Sequence, residues 1–221
     1  MTGSEGLPTR RSAVRLKTAR GRKPSSQRWL TRQLNDPYVQ AAKKEGWRSR
    51  AAFKLIDLDD KAKLIRRDCR IVDLGAAPGG WSQVALARGA ASVVGIDLLD
   101  IDPVPGATFL KGDFEDPAME AALARALGGQ ADLILSDIAP NATGHAATDH
   151  IRITALAEIA LDFALGHLAP GGAFVCKLFQ GGAEGEMLAT LKRRFRSVRH
   201  VKPAASRKES RELYIVATGF R

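Results

Sequence analysis

The chain has 221 residues, of which 45% are hydrophobic, and it carries a formal net charge of +10 with a sequence pI near 10.0. This length and composition suffice for one sizeable domain with a single core. No apolar run approaches the length of a membrane span, and no signal-peptide core follows the N-terminus. The two cysteines, Cys69 and Cys176, show neither metal-ligand spacing nor a disulfide framework. We therefore expect a cytoplasmic protein with no membrane contact and no bound metal.

The positive charge is concentrated at the N-terminus. Residues 1–28 contain eight Lys or Arg, and Glu5 is their only acid. This segment has little apolar content and several turn formers, so we predict a disordered basic tail followed by one domain over residues 29–221. Three interpretations stay open for the tail. It could aid solubility, neutralise the phosphates of a nucleic acid, or act as an organellar transit peptide, and charge alone does not choose among them.

The rest of the chain alternates between helical and strand patterns. Residues 28–65 look helical, with breaks at Asp36-Pro37 and at Gly46. Five strands follow, and helical segments of about ten residues or more separate most of them. The strands read "CRIVDLG", "ASVVGIDL", "ATFLKGD", "ADLILSD" and "AFVCKLF", and after one more helix "SVRHVK" and "ELYIVATGF" give two closing strands. This order predicts an α/β fold with a parallel, doubly wound sheet, whose ligands bind at the carboxyl ends of the strands.

Acidic residues follow three successive strands beside a glycine-rich turn. Asp73 opens the stretch "DLGAAPGGW", Asp97 ends the second strand 24 residues later, and Asp113 ends the third. The turn has neither the dinucleotide spacing G-x-G-x-x-G nor the Lys-Ser/Thr of a P-loop. Acids suit a ligand with hydroxyls, amines and positive charge better than they suit a pyrophosphate. S-adenosylmethionine, a sulfonium with a ribose and an ammonium, fits that description. The pattern of acids therefore predicts a methyltransferase.

The fourth strand ends in "LSDIAPNATG", which places Asp137 at its tip. No aromatic residue follows to stack on a base, so methylation of an exocyclic base nitrogen is disfavoured. Methylation of a base carbon would need a thiolate near this loop, but Cys176 lies in mid-strand and reads as core packing. A hydroxyl acceptor remains, and it requires positioning and a base.

Lys177 lies in the middle of the apolar strand "AFVCKLF", where an unpaired ammonium would be costly. One interpretation is a structural lysine that pairs with Asp137 or reaches to the rim of the sheet. The other is an amine that burial and a second cation help to keep neutral, so that it can accept a proton. Lys54 offers the second cation, and Glu212 offers a counter-charge.

Several stretches taken together carry a family resemblance. "SRAAFKLIDL", "VDLGAAPGGWSQVA", "SDIAPNATG", "FVCKLFQG" and "SRKESRELYIVATGF" resemble the FtsJ-type large-subunit rRNA (uridine-2′-O-)-methyltransferase family, in order and at matching separations over residues 37–220. The resemblance implies a Rossmann-like class I methyltransferase fold, with a mostly parallel seven-stranded sheet and an antiparallel last strand. One departure is Ala-Ala-Phe before Lys54, where relatives often have a large aromatic residue in the middle place.

The resemblance also implies roles for particular residues. Lys177 would be the proton acceptor for a ribose 2′-hydroxyl, Asp137 would orient the lysine or the methyl donor, and Lys54 and Glu212 would complete the catalytic set. Tyr214, two residues after Glu212 on a strand, should share its face and support the site. The residues that fall where the family binds S-adenosylmethionine are Gly79, Gly80, Trp81, Asp97, Asp113 and Asp137.

The implied substrate is one uridine in the aminoacyl-tRNA loop of 23S rRNA, within the large ribosomal subunit, and we expect the protein to act as a monomer. Two alternatives stay open: 2′-O-methylation of tRNA, and a ribosome-assembly factor that binds RNA without catalysis. Phosphate contacts would supply most of the RNA affinity. Beyond the tail, the candidates for these contacts are Arg48, Arg50, Arg207, Lys208 and Arg211.

Overall fold

The structure is a computed structural model that describes residues 24–140, 143–181 and 185–221. Its helices are α1 (Pro24–Leu34), α2 (Pro37–Glu45), α3 (Ala52–Ala62), α4 (Gly80–Ala87), α5 (Pro117–Leu127), α6 (Ala146–His167) and α7 (Glu186–Arg194). Its strands are β1 (Arg70–Leu74), β2 (Ser92–Asp97), β3 (Ala107–Lys111), β4 (Ala131–Ser136), β5 (Leu168–Phe179), β6 (Phe195–Val201) and β7 (Glu212–Phe220). Most of the predicted basic tail, residues 1–23, lies outside the described residues, and α1 begins within its last six positions.

The seven strands form one sheet in the order β3-β2-β1-β4-β5-β7-β6. β7 runs antiparallel to both of its neighbours, and the remaining pairs are parallel. The predicted fold class is therefore confirmed. The strand order reverses direction between β1 and β4, and in sheets of this kind ligands bind outside the carboxyl ends of the strands at such a point.

Helices cover both faces of the sheet and form two cores. On one face, α5, α6 and α7 pack against the sheet, and this core includes Leu123 of α5, Phe163 of α6 and Phe174 of β5. On the other face, α3 and α4 pack against the sheet through residues such as Leu55 and Trp81. Because both faces are covered, the central strands are mostly apolar, as parallel strands of this type usually are, and the buried Asp73 and Lys177 are exceptions.

Strand β5 presents alternate residues to the two faces. Phe174, Cys176 and Leu178 lie in the core under α5–α7, whereas Val175 belongs to the core under α3 and α4. Side chains alternate along a strand, so Lys177 points to the same side as Val175. Its cross-strand partner on β7 is Tyr214, which also belongs to the core under α3 and α4. The lysine therefore faces α3, the helix that carries Lys54.

Local signals in the sequence set both ends of α5. Asp116 caps α5 by accepting a hydrogen bond from the backbone N–H of Ala118, Pro117 occupies its first turn, and Gly128 ends it in the left-handed conformation. The boundary between α6 and β5 differs from the prediction. β5 begins at Leu168, five residues before the predicted strand "AFVCKLF", and so includes Pro170–Gly172. A register shift opposite Ala131–Leu133 accommodates this stretch within the strand.

Among the described residues, no helix is long and apolar enough to span a membrane.

Candidate active site

Five polar side chains from four parts of the fold meet beyond the carboxyl ends of β4 and β5. Lys54 lies in the first turn of α3, Asp137 directly follows β4, Lys177 lies on β5, and Glu212 and Tyr214 lie at the start of β7. The backbone N–H of Asp137 donates to the carbonyl of Leu74, so pairing with β1 extends one residue past the end of β4. The structure thus brings together all four residues of the predicted catalytic set, together with Tyr214.

Lys177 is held by Asp137 through two contacts. Its Nζ lies 2.8 Å from Oδ1 of Asp137 and 2.7 Å from the backbone carbonyl oxygen of the same residue. Only 7% of the Lys177 side chain is exposed, against 16% for Asp137. An ammonium has three donors, so these two bonds fix its direction and leave one donor without a partner among the residues that the structure describes. The predicted pairing of Lys177 with Asp137 is present, and this third donor is where a proton could be exchanged.

Lys54 and Glu212 form a second ion pair beside the first. The Nζ of Lys54 lies 2.9 Å from both carboxylate oxygens of Glu212 and 3.8 Å from Oδ2 of Asp137. Ser206 donates to Oε1 of Glu212 at 2.8 Å. The cluster therefore holds two ammonium groups and two carboxylates with little access to water, and each charge has an opposite partner.

Tyr214 links the two ion pairs. Its hydroxyl donates to Oδ1 of Asp137 at 2.6 Å and accepts from Nζ of Lys54 at 3.1 Å. The Lys54 ammonium is 5.7 Å from the ring centroid, beyond the hydroxyl, so the contact is a hydrogen bond and not a cation–π interaction. Burial and the charges of Asp137 and Glu212 raise the pKa of Tyr214 well above its usual value, so its hydroxyl remains a donor.

The charges in the cluster fix the protonation state of Asp137. Burial acts to raise the pKa of this carboxyl, but the Lys177 and Lys54 ammonium groups outweigh burial and the pKa is lowered. Asp137 is thus an acceptor only. The neighbouring thiol behaves in the opposite way, because burial raises the pKa of Cys176 to about 12. A protonated thiol on the other face of β5 agrees with the prediction that Cys176 packs in the core.

Asp97 fastens the glycine-rich turn to the end of β2. Its Oδ2 accepts from the backbone N–H of Ala77 at 2.9 Å, and its Oδ1 accepts from that of Leu99 at 3.0 Å. Gly79 has a φ of +99°, and a Cβ there would lie 2.7 Å from Nη1 of Arg48. The turn therefore needs glycine both for its backbone conformation and for the close approach of the arginine.

Asp73 is a buried acid at the base of the same turn. Its side chain is fully buried, and Oδ2 accepts from the Ser82 hydroxyl at 2.7 Å. Its Oδ1 has no hydrogen-bond partner among the residues that the structure describes. Burial raises its pKa to about 7; the Ser82 hydrogen bond opposes this rise, and the charges of Asp137 and Asp97 add to it. A carboxylate oxygen without a partner, beside two further acids, suits a cationic ligand with hydroxyl groups.

Two predicted cofactor residues have other contacts. Trp81 is 3% exposed, its Nε1 donates to the carbonyl of Ala51 at 2.8 Å, and its ring lies 5.7 Å from that of Tyr214. Asp113 is exposed, and its Oδ1 accepts from the backbone N–H of Glu115. Trp81 therefore packs the turn against the cluster, Asp113 lies exposed after the end of β3, and their contacts with a cofactor stay predictions.

Three of the arginines predicted to contact RNA are engaged within the chain. The Arg48 guanidinium donates to three backbone carbonyls, and Arg50 and Arg207 lie 2.9 Å and 3.6 Å from Oδ2 of the buried Asp36. The Arg50 contact has ion-pair distance without hydrogen-bond alignment. Lys208 and Arg211 are exposed. A surface depression adjoins Glu212, and its polar lining consists of Gln180, His200, Lys202 and Arg211.

Sequence reasoning missed two residues of this region. Ser206, which supports Glu212, is one of several polar residues in the segment before β7 and carries no signal that separates it from its neighbours. Arg48 was noted only for its charge, although its bonds span 30 to 55 positions of sequence.

Comparison with known proteins places this geometry among methyltransferases. The family described as FtsJ-like methyltransferase matches residues 47–220. A protein of Acidiphilium cryptum named "Ribosomal RNA large subunit methyltransferase E" is 73% identical over 212 residues, which cover 96% of this chain and 94% of that protein. A protein of the same name from Granulibacter bethesdensis is 66% identical, and the match covers 100% of this chain and 97% of that protein. Among solved structures, a ribosomal RNA methyltransferase from Plasmodium falciparum is 30% identical with a TM-score of 0.69, over 79% of this chain and 98% of that one.

Proposed function

The chain belongs to the FtsJ-like methyltransferase family, as its motifs predicted, and on that premise we propose that it methylates a ribose 2′-hydroxyl of large-subunit rRNA with S-adenosylmethionine as donor. The name shared by the two bacterial relatives supports rRNA as the substrate. The motif resemblance supports a uridine in the aminoacyl-tRNA loop of 23S rRNA as the site. We further propose that the protein works in the cytoplasm as a monomer.

The acidic end of β1 to β3 is the proposed donor site. Asp97 lies where an acid meets ribose hydroxyls in nucleoside-binding folds, and the ionised Asp137 provides negative charge for a cationic ligand. Gly79 and Gly80 let the turn approach the ligand closely. The bound donor supplies an electrophilic methyl group on a sulfonium. We propose that Trp81 contributes by fixing the turn and that Asp113 contacts the far end of the nucleoside.

The ion-pair cluster is the proposed acceptor site. Lys177, an ammonium in the resting cluster, would first release a proton to solvent, and its neutral Nζ would then accept the proton of the 2′-hydroxyl as the ribose oxygen takes the methyl group that the bound donor would supply. Asp137 aims the amine through its carboxylate and its backbone carbonyl. Lys54 helps to keep Asp137 ionised, Glu212 holds Lys54 in place, and Tyr214 connects the two ion pairs. Such positioning of a base beside the reacting group is the main requirement of this reaction.

One observation carries this proposal. A buried lysine, fixed by an ionised aspartate, lies at the same edge of the sheet as a glycine-rich turn and a buried acid, Asp73, one of whose oxygens has no partner among the described residues. The arrangement joins a proton acceptor to a site for a cationic nucleoside.

The test is methyl transfer from labelled S-adenosylmethionine to large subunits isolated from cells that lack the protein, followed by mapping of the methylated nucleotide. We expect Lys177→Met to lower the rate by about a thousandfold or more and to leave donor binding within about twofold, because the lysine acts on the acceptor proton. Lys61→Met, which removes an exposed lysine of α3, is the matched control. Normal turnover by Lys177→Met would exclude it as the base. A label that enters tRNA and not rRNA would favour the tRNA alternative.

A further inference from the structure

Residues 46–51, here called the connector, join α2 to α3 and lie against the glycine-rich turn. The backbone N–H of Arg48 donates to Oε1 of Gln83 on α4 at 2.9 Å, and the Trp81 ring nitrogen donates to Ala51. A Cβ on Gly80 would lie 2.7 Å from the Ser49 hydroxyl oxygen, so the two backbones are in close contact. The connector therefore forms part of the wall behind the proposed donor site.

The Arg48 side chain joins two separate segments of that wall. Nη1 donates to the carbonyl of Pro78 in the turn at 3.1 Å and to the carbonyl of Asp102 at 2.6 Å, while Nη2 donates to the carbonyl of Pro103 at 2.7 Å. Residues 102 and 103 belong to the loop that follows β2 and Asp97. One planar guanidinium thus fixes the distance between the turn after β1 and the loop after β2.

This use of donors differs from that of an arginine that waits for a phosphate. Three of the five guanidinium N–H groups are occupied by backbone carbonyls, and Arg48 is half-buried. The planar guanidinium also matters, because its two terminal nitrogens donate in fixed, different directions. A lysine has a single ammonium and cannot bind both segments in this way. A side chain at position 79 would collide with Nη1 of Arg48, so the glycine is needed for the guanidinium to reach its acceptors.

We propose that Arg48 is a positioning residue for the methyl donor, which holds the turn after β1 and the loop after β2 at the separation that the donor requires. The identity of the donor rests on the function proposed above. The role is distinct from phosphate binding, the function that charge alone suggested for this residue. It predicts an effect on donor affinity that does not depend on RNA.

The experiment compares Arg48→Ala and Arg48→Lys with the unsubstituted protein. The dissociation constant for S-adenosylmethionine is measured by calorimetry without RNA, and kcat and KM for the donor are measured with large subunits. We expect both variants to bind the donor about tenfold more weakly, since each loses charge-assisted hydrogen bonds that order the site. At saturating donor, kcat should stay within about twofold, and the salt dependence of RNA binding should not change.

Arg66→Ala provides the matched control. Arg66 is an exposed arginine at the opposite end of the strands, where it pairs with Asp132 at 3.2 Å. Its removal should leave donor affinity unchanged. Arg48→Lys keeps the charge and the aliphatic stem, so it guards against a loss of folding in the alanine variant.

Two outcomes separate failure of this inference from failure of the proposed function. If the unsubstituted protein does not bind S-adenosylmethionine, the proposed function is wrong. If it binds and both Arg48 variants bind equally well, the inference is overturned, whatever happens to RNA affinity. A fall of about one in the slope of log affinity against log salt, with donor affinity intact, would assign Arg48 to a phosphate instead.

Discussion

Replacement of Lys177 by Met should destabilise the protein in a pH-dependent way that reports on the ion-pair cluster itself. The substitution removes an ammonium 2.8 Å from Asp137 and keeps a chain of similar length. At that separation the gross attraction is roughly 6 kcal/mol for an effective dielectric constant of about 20. Desolvation offsets part of it, and breaking a buried pair costs roughly 3–5 kcal/mol. Asp137 retains Tyr214 and the Lys54 ammonium at 3.8 Å, so we expect a loss of about 3 kcal/mol near neutral pH.

The sign of the pH dependence follows from Asp137. In the unsubstituted protein its pKa is lowered, so its contribution to stability is present above the unfolded pKa and is lost as pH falls through the folded pKa. Of the two ammonium groups that lower the pKa of Asp137, that of Lys177 has the larger effect. Without that charge, burial dominates and the pKa of Asp137 rises, which makes the ionised form costly at neutral pH. The deficit of Lys177→Met should therefore shrink as pH is lowered.

The assay is urea unfolding of four proteins across the pH range: unsubstituted, Lys177→Met, Asp137→Asn and the double variant. The free energies form a double-mutant cycle, and we expect a coupling of about 2–3 kcal/mol near neutral pH, because the double variant leaves the Lys54–Glu212 pair balanced. Additive single effects, or a Lys177→Met deficit that does not change with pH, would refute the account of a tightly coupled buried cluster.

Two further predictions concern the groups around this cluster. Tyr214→Phe should lower the free energy of unfolding by about 2 kcal/mol, because the hydroxyl bonds two charged groups; urea titration checks this, and Tyr38→Phe, outside the site, should cost less than about 0.5 kcal/mol. A loss as small as that control's would show that the hydroxyl bonds add little. For Asp73, the folded pKa of about 7 lies above the unfolded value, so stability should fall as pH rises from about 4 to about 7. Asp73→Asn should flatten that slope and be more stable by up to about 4 kcal/mol at mildly alkaline pH, whereas Asp100→Asn, at an exposed site, should leave the slope unchanged. An unchanged slope in Asp73→Asn would contradict the assignment.

Sequence reasoning succeeded where a local pattern determines a position in space. Asp137 and Lys177 lie at or near the ends of adjacent parallel strands, and the order of strands and helices is enough to bring such positions together. The family motifs added Lys54 and Glu212, whose places on α3 and β7 are remote in sequence. The apolar run around Lys177 predicted both its burial and its need for a partner.

The contacts that escaped prediction are those set by packing between distant segments. The paired contacts of Arg50 and Arg207 with Asp36 depend on how α2 meets the segment before β7, and charge in the sequence reveals only that these residues are basic. Arg48 is a similar case, because its acceptors are backbone carbonyls and any residue provides those. The early start of β5 also depends on tertiary pairing of Leu168 with Ala131 on β4, while Pro170–Gly172 form an irregularity before regular pairing resumes at Ala173.

The alternation along β5 constrains how the chain can change length. Neighbouring positions on this strand belong to opposite sides of the sheet, with the Cys176 thiol on one side and the Lys177 ammonium on the other. Deletion or insertion of one residue within the strand would turn the Lys177 side chain to the other face of the sheet. A thiol or Leu178 would then occupy the site, and the ammonium would lie in the opposite core. Changes in length can therefore be absorbed in the connections between strands and helices but not within residues 173–179, the regularly paired part of β5. Designed insertions, such as tags or reporter segments, belong in those connections.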